Sequence, residues 1–235
     1  MVSIRSLEVQ LIGVTQFRAP QGCAWEAGKV SGPEALVEFA SRVHDATLSA
    51  PASMDHASYL RTVIEVGRTR LLEHSSATLY VRGVSRRVVD DLRSVADLEL
   101  TEMRHGEWEK EPVIALSREL AGKAELRRIV ESLVEDTRFM AEELGEVLAE
   151  ELSAETNRVL RDQRVRAMIR TVAPQCLEVP VVATGSMAQW RRFIETCAHL
   201  PADPELGDLA RSCLRVLAEE SPALWADVSL NWPET

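Results

Sequence analysis

Residues 71–92 read LLEHSSATLYVRGVSRRVVDDL, and the fold class turns on three changes of pattern inside that stretch. It opens on a polar pair, Glu73 and His74. ATLYVRGV (77–84) then concentrates β-forming residues and stops at Gly83, which predicts a strand. Ser85 stands where a helix cap belongs, and Val88, Val89 and Leu92 recur at helical spacing after it. A strand delivered straight into a capped helix is the unit of a sheet flanked by helices.

Outward from that unit, LEVQLIGVT (7–15) predicts an earlier strand, followed by an irregular stretch holding Pro20, Gly22, Gly28, Gly32 and Pro33. Ser31 and Pro33 introduce a helix with Leu36, Val37, Phe39, Ala40 and Val43 on its apolar face, and a second helix capped by Asp55 runs to about Val66. RHGEWEKEP (104–112) reads as a charged turn. After it comes the longest helical signal, with Leu126, Ile129, Val130, Leu133, Val134, Met140, Leu144, Val147, Leu148 and Leu152 three or four apart. This predicts a core-facing helix with a solvated acidic face, interrupted near Gly145. Another helix follows over 156–171 and ends before Pro174; LEVPVVAT (177–184) predicts a strand, and helices follow over 185–200 and 205–220, the last closed by Pro222. With no linker and no internal repeat, the expectation is one domain over 1–235 of α/β (α+β) class, a central sheet with flanking helices.

A chain of 235 residues with 46% hydrophobic and 27% charged side chains can bury a sizeable core. Its net charge of -10 repels phosphate backbones and anionic bilayers, so neither nucleic acid nor a membrane is an expected partner. Cys23, Cys176, Cys197 and Cys213 lie far apart and form no C-x-x-C pair, and His44, Asp45 and His56 match no ligand spacing, so no metal is expected. No signal-peptide pattern or long apolar run stands out, and the expected compartment is the cytoplasm. Neither G-x-G-x-x-G, a P-loop nor G-x-S-x-G is present.

The 71–92 block resembles the corresponding block of the flavin-dependent thymidylate synthases (ThyX), and the likeness extends in order through ALVEFASRV (35–43), SYLRTVIEVGRTRLLEH (58–74), VRAMIRTVAP (165–174), VVATGSMAQWRRFIE (181–195) and PADPELGDLARSCLRVL (201–217). The resemblance implies that family's fold, a homotetramer, FAD held at sites assembled from several subunits, and methylation of dUMP with NADPH and methylenetetrahydrofolate. It also implies an Arg-His-Arg triplet followed seven residues later by serine, whose arginines grip flavin and nucleotide phosphates.

Here Ser94, Val95 and Ala96 stand at the triplet and Arg104 at the serine; a shift by one residue places Arg93 on the first arginine and restores nothing else. The family's small hydroxyl residue near the flavin is matched by Arg70, its Asn-x-Arg segment by Ser186 and Ala188, a later arginine by Cys197, and its downstream histidine by Pro201. Its Glu-Ile-Arg ending is matched by Glu205, Leu206 and Gly207. Arg86 and Arg170 match arginines of the nucleotide site and read either as a residual nucleotide or anion pocket or as structural ion pairs. Glu73 and His74, with Arg70 and Arg93, mark an altered flavin pocket, the Glu-His pair reading first as a hydrogen-bonded structural unit. No catalytic residue emerges. The implied roles are a non-catalytic or regulatory subunit, in a homotetramer or with an active relative, or a repurposed flavin- or nucleotide-binding enzyme; retained dUMP methylation is the remaining alternative.

Overall fold

The structure, a computed structural model, describes residues 1–49, 54–103, 108, 110–198 and 203–228. In chain order these form β1 (Ser3–Ile4), β2 (Glu8–Val14), α1 (Gly32–His44), α2 (His56–Glu65), β3 (Ser76–Arg82), α3 (Arg86–Val95), β4 (Glu99–Glu102), β5 (Val113–Ile114), α4 (Arg118–Gly122), α5 (Ala124–Glu151), α6 (Arg158–Ile169), β6 (Val181–Ser186), α7 (Met187–Ala198), α8 (Pro204–Glu220) and α9 (Pro222–Trp225). Tight 3-10 turns add Thr69–His74 and Arg170–Val172. The class is therefore mixed helix and sheet, as the sequence predicts. Two compact units divide the chain: one takes Met1–Leu7, Arg82–Asp90 and Glu102–Pro180, the other Glu8–Val81, Asp91–Thr101 and Val181–Thr235.

The second unit carries the four-stranded sheet, in the order β2-β3-β6-β4, apart from the terminal residues of β3 and β4. β3 and β6 run antiparallel with Ala77 opposite Gly185, Leu79 opposite Ala183 and Val81 opposite Val181, so one face of the pair is apolar and buried. Against this core α7 buries Met187, Trp190, Phe193 and Ile194, and the Trp190 indole N–H donates to the Ala77 carbonyl at 3.1 Å. Each such side chain contributes about 1.5–3 kcal/mol by leaving water. Ser31 caps α1 in a reciprocal box with Glu34, and Asp55 accepts from the Ser58 backbone N–H at 3.0 Å to start α2. Pro222 does not merely close α8, which ends at Glu220; it opens α9, where its missing N–H has no helical partner to lose.

The first unit pairs β1 with β5 in parallel, and α5, through Val134 and Ala141, and α6, through Ile169, share a core with Trp108, Ile114 and Leu177. Gly83 turns the chain from β3 toward α3 with φ +69, and a Cβ there would sit 2.0 Å from the Ser6 carbonyl oxygen; only glycine fits. Beside it the buried Glu178 carboxylate accepts from the Gly83 N–H at 3.0 Å and from Arg82 Nε at 3.3 Å. Leu177 and Glu178 form only isolated bridges, to Ile114 and Ser85, and the regular strand begins at Val181, later than the expected 177; Pro180 cannot donate to a ladder.

Three departures from the sequence reading are physical. α5 is continuous through Gly145, where a Cβ would stand 3.0 Å from Ile169 Cδ1: this glycine admits a neighbouring side chain and does not break the helix. The apolar face of α5 is not wholly turned to a core, since Ile129, Leu133, Met140 and Val147 are each more than half exposed. β1, β4, β5 and α4 are too short to leave a periodic signal. Of the turn expected over 104–112, residues 104–107 and 109 lie outside the described residues.

Candidate functional site

Glu73 sits in the 3-10 turn that feeds β3, and Ser186 ends β6; the register that pairs Ser76 with Ser186 brings both to the same end of the sheet. The Ser186 hydroxyl donates to Glu73 Oε2, and Arg192 Nη1 donates to Glu73 Oε1 at 2.8 Å. These hydrogen bonds, Ser186 first, and then the charges of Arg192 and Arg70 hold the Glu73 carboxyl below the usual carboxylate range. Ser186 also starts α7: its hydroxyl accepts from the Gln189 N–H at 3.1 Å while the Gln189 side chain accepts from the Ser186 N–H at 2.7 Å. The structure thus gathers Arg70 and Glu73 of the expected residues with Ser186 and Arg192. Arg192 was not legible as a member, because nothing in its helical spacing points across to residue 73. His74 is exposed.

The triplet positions fall at the end of α3. The Ser94 hydroxyl donates to its own helix's Asp91 carbonyl at 2.7 Å, Val95 is half-buried and Ala96 is buried. Arg93 is exposed and has an interaction partner. Ala188 is buried in α7, and Cys197 is buried with its thiol pushed up to about 12 by burial and then by Asp203, which makes it unreactive. Cys213 is likewise pushed up by burial. At the start of α8, Leu206 and Gly207 are buried and Asp203 caps the helix through the Leu206 N–H at 3.0 Å. Pro201 and Arg104 lie outside the described residues. FAD, which the family resemblance implies, needs cationic donors for its diphosphate. Ser94, Val95, Ala96, Ser186 and Ala188 do not meet that need, since none is a cation and both hydroxyls are committed to neighbours within the chain.

Arg86 and Arg170 belong to the first unit. Arg86 opens α3 with its backbone N–H on the Leu177 carbonyl at 2.9 Å, and its side-chain Nε is buried with no hydrogen-bond partner among the described residues. Arg170 is exposed and donates from Nε to the Arg166 carbonyl at 3.2 Å, closing α6.

A further cluster lies in the second unit under a cavity of about 480 Å³ lined by Trp25, Glu38, Arg42, Met54 and His56. Glu38, 1% exposed, accepts from Arg42 Nε at 2.7 Å through one oxygen and meets His56 Nδ1 through the other, while the Arg42 guanidinium stacks over Tyr59 at 4.5 Å. Both carboxylate oxygens are engaged, so the group ties α1 to α2. The i, i+4 spacing of Glu38 and Arg42 is the signal that could have found it. His44 instead meets Asp45 at 3.0 Å, and no group of three or more His, Cys, Asp or Glu side chains among the described residues is arranged to hold a metal. Among those residues no helix is long and apolar enough to cross a membrane.

Compared with known proteins, residues 27–223 match the family described as thymidylate synthase complementing protein. The chain is similar to a flavin-dependent thymidylate synthase of Corynebacterium aurimucosum, 37% identical over 238 residues that cover 98% of this chain and 94% of that one. It is 37% identical over 231 residues to that of Corynebacterium efficiens (96% and 91% covered), and 34% identical over 234 residues to that of Mycobacterium tuberculosis (98% and 93% covered).

Proposed function

Because the chain belongs to the flavin-dependent thymidylate synthase family, we propose that it is a member without dUMP-methylating activity, serving in the cytoplasm as a non-catalytic or regulatory subunit of a homo-oligomer or of an assembly with an active relative. The observation that carries this reading is the end of α3, where Ser94 bonds its own helix and Ala96 is buried at the positions of the phosphate-binding triplet. Each charge-assisted contact is worth about 1.5–3 kcal/mol, so losing two or three weakens ligand binding by several powers of ten. Position 188 is aliphatic and the Ser186 hydroxyl serves Glu73 and α7, which removes the compensation a second segment could offer. The retained framework supports assembly, since a site built between subunits needs walls as well as ligands.

The test is the absorbance spectrum of the purified protein before and after adding FAD. A colourless protein that takes up no flavin is expected, as is failure to restore growth of a thymidine-requiring strain; growth without thymidine would overturn the reading. One observation favours a second reading. The buried Arg86 Nε, which has no hydrogen-bond partner among the described residues, suits a small anion such as a nucleotide phosphate, and with it a repurposed enzyme of a nucleotide-related pathway. Calorimetric titration with dUMP separates the two: binding that Arg86→Ala abolishes supports the second, and no heat supports the first.

A further inference from the structure

We propose that the cavity lined by α1 and the start of α2 binds a free α-amino acid with an apolar or aromatic side chain, its carboxylate turned inward and its ammonium group outward. The floor of that cavity is built from charge. Arg42 is 5% exposed, and of its three guanidinium nitrogens only Nε is engaged, donating to Glu38 Oε1 at 2.7 Å. The two terminal nitrogens have no hydrogen-bond partner among the described residues, and the little exposure the side chain keeps is to the cavity it lines. A guanidinium in that state offers a parallel pair of N–H groups, which a carboxylate accepts with both oxygens. His56 Nδ1 meets the other Glu38 oxygen, so the imidazole proton sits on Nδ1 and Nε2 keeps its lone pair. A Cβ at Gly28, where φ is +64, would stand 3.1 Å from that Nε2; glycine leaves the acceptor uncovered.

The ligand class follows from the order of charges. Trp25 supplies an apolar wall and is held by Phe17 and Phe39, whose ring centroids lie 5.5 and 5.7 Å from its own; Leu48 and Met54 line the same cavity. Two further lining carboxylates, Glu26 and Asp55, are exposed and stand at the rim. Asp55 caps α2, and hydrogen bonds from the Ser58 backbone N–H and then the Ser58 hydroxyl hold its carboxyl below the usual range, so it is an anion at neutral pH. A phosphate or a dicarboxylate would have to pass those rim charges and lie beside Glu38, and a plain cation would meet the unengaged nitrogens of Arg42. A zwitterion answers both ends: its carboxylate takes the guanidinium, its ammonium donates to His56 Nε2 on the side of the rim carboxylates, and its side chain lies on Trp25. A volume of about 480 Å³ is ample for a molecule of that size. The cavity belongs to the second unit alone, and the inference holds whether or not the chain takes up flavin.

The test is calorimetric titration of the full chain with L-phenylalanine, L-methionine and L-leucine, each set beside its N-acetyl form, which lacks the ammonium, and its amide, which lacks the carboxylate. At least one free amino acid should bind with a dissociation constant of about 1 mM or tighter, and both of its blocked forms at least about tenfold more weakly. Asp55→Asn keeps a capping side chain while dropping the rim charge, and should weaken the free amino acid about threefold. Arg42→Gln should weaken it at least about tenfold. Because Arg42→Gln also strips Glu38 of its cation, far-UV circular dichroism checks that it folds; if it does not, Asp55→Asn and the blocked forms decide the matter by themselves. No heat with any of the three amino acids overturns the proposal. So does an N-acetyl form that binds as tightly as the free one, which would make the cavity a plain anion site.

Discussion

α7 and α5 are both amphipathic, yet they meet opposite fates in the fold. α7 buries Met187, Ala188, Trp190, Phe193, Ile194 and Cys197, every one at 5% exposure or less. α5 is more than twice as long and fully buries only Val134 and Ala141, while five apolar side chains of its second stripe stay at 37% exposure or more. Apolar periodicity says that a helix has a face to cover, and says nothing about what covers it. In α7 the cover is the β3–β6 pair and α8 of the same unit. For α5 it is only partly the first unit, and the width of its apolar face, wider than one packed neighbour needs, is the sign that distinguishes the two.

The sharpest way to break this contrast is to truncate one large residue on each helix. Trp190→Ala should destabilise the second unit by about 3–5 kcal/mol, because it opens a cavity and orphans the Ala77 carbonyl that the indole satisfies. Met140→Ala should change stability by under about 0.5 kcal/mol in urea unfolding. Equal effects would mean that Met140 is packed as tightly as Trp190. The same comparison can be made for charge. Glu38→Gln removes the anion that neutralises a buried Arg42 and should lower stability by about 3 kcal/mol, whereas Arg138→Ala, which breaks solvent-facing pairs to Glu135 and Glu142 on α5, should shift it by under about 1 kcal/mol. Both are read from the midpoint of urea denaturation.

Much of this was legible in the residues. Ser31 with Pro33, Asp55 and Ser85 announced three helix starts because a short polar side chain before an apolar period has a local job, done within three residues. Strands β3 and β6 were each visible from their β-formers, though not their pairing. What stayed hidden depends on contacts far apart in sequence. Nothing local to Gly145 says that Ile169 will lie against it, and so a packing glycine reads as a break. At the candidate site, the missing cations at 94–96 could be read directly, since absence of charge is a property of residue type. That Ser186 would turn to Glu73, and Arg192 join it, needed the strand register that brings positions 73 and 186 together across the sheet.

That site supplies the smallest predicted effect. Glu73 has a folded-state pKa held below its unfolded value, so its contribution to stability is fully present above the ordinary carboxylate pKa and is lost as pH falls through the folded value. The sign therefore requires the parent to lose more stability than Glu73→Gln between neutral pH and about pH 3. The difference should stay under about 1 kcal/mol, because the Glu73 and Arg192 side chains are 44% and 55% exposed and solvent screens the pair. Denaturation midpoints of the two proteins across that range check it. Parallel curves would mean that Glu73 is not engaged as described, and the hydroxyl of Ser186 would then be open to a ligand, a condition at odds with the proposed loss of flavin binding.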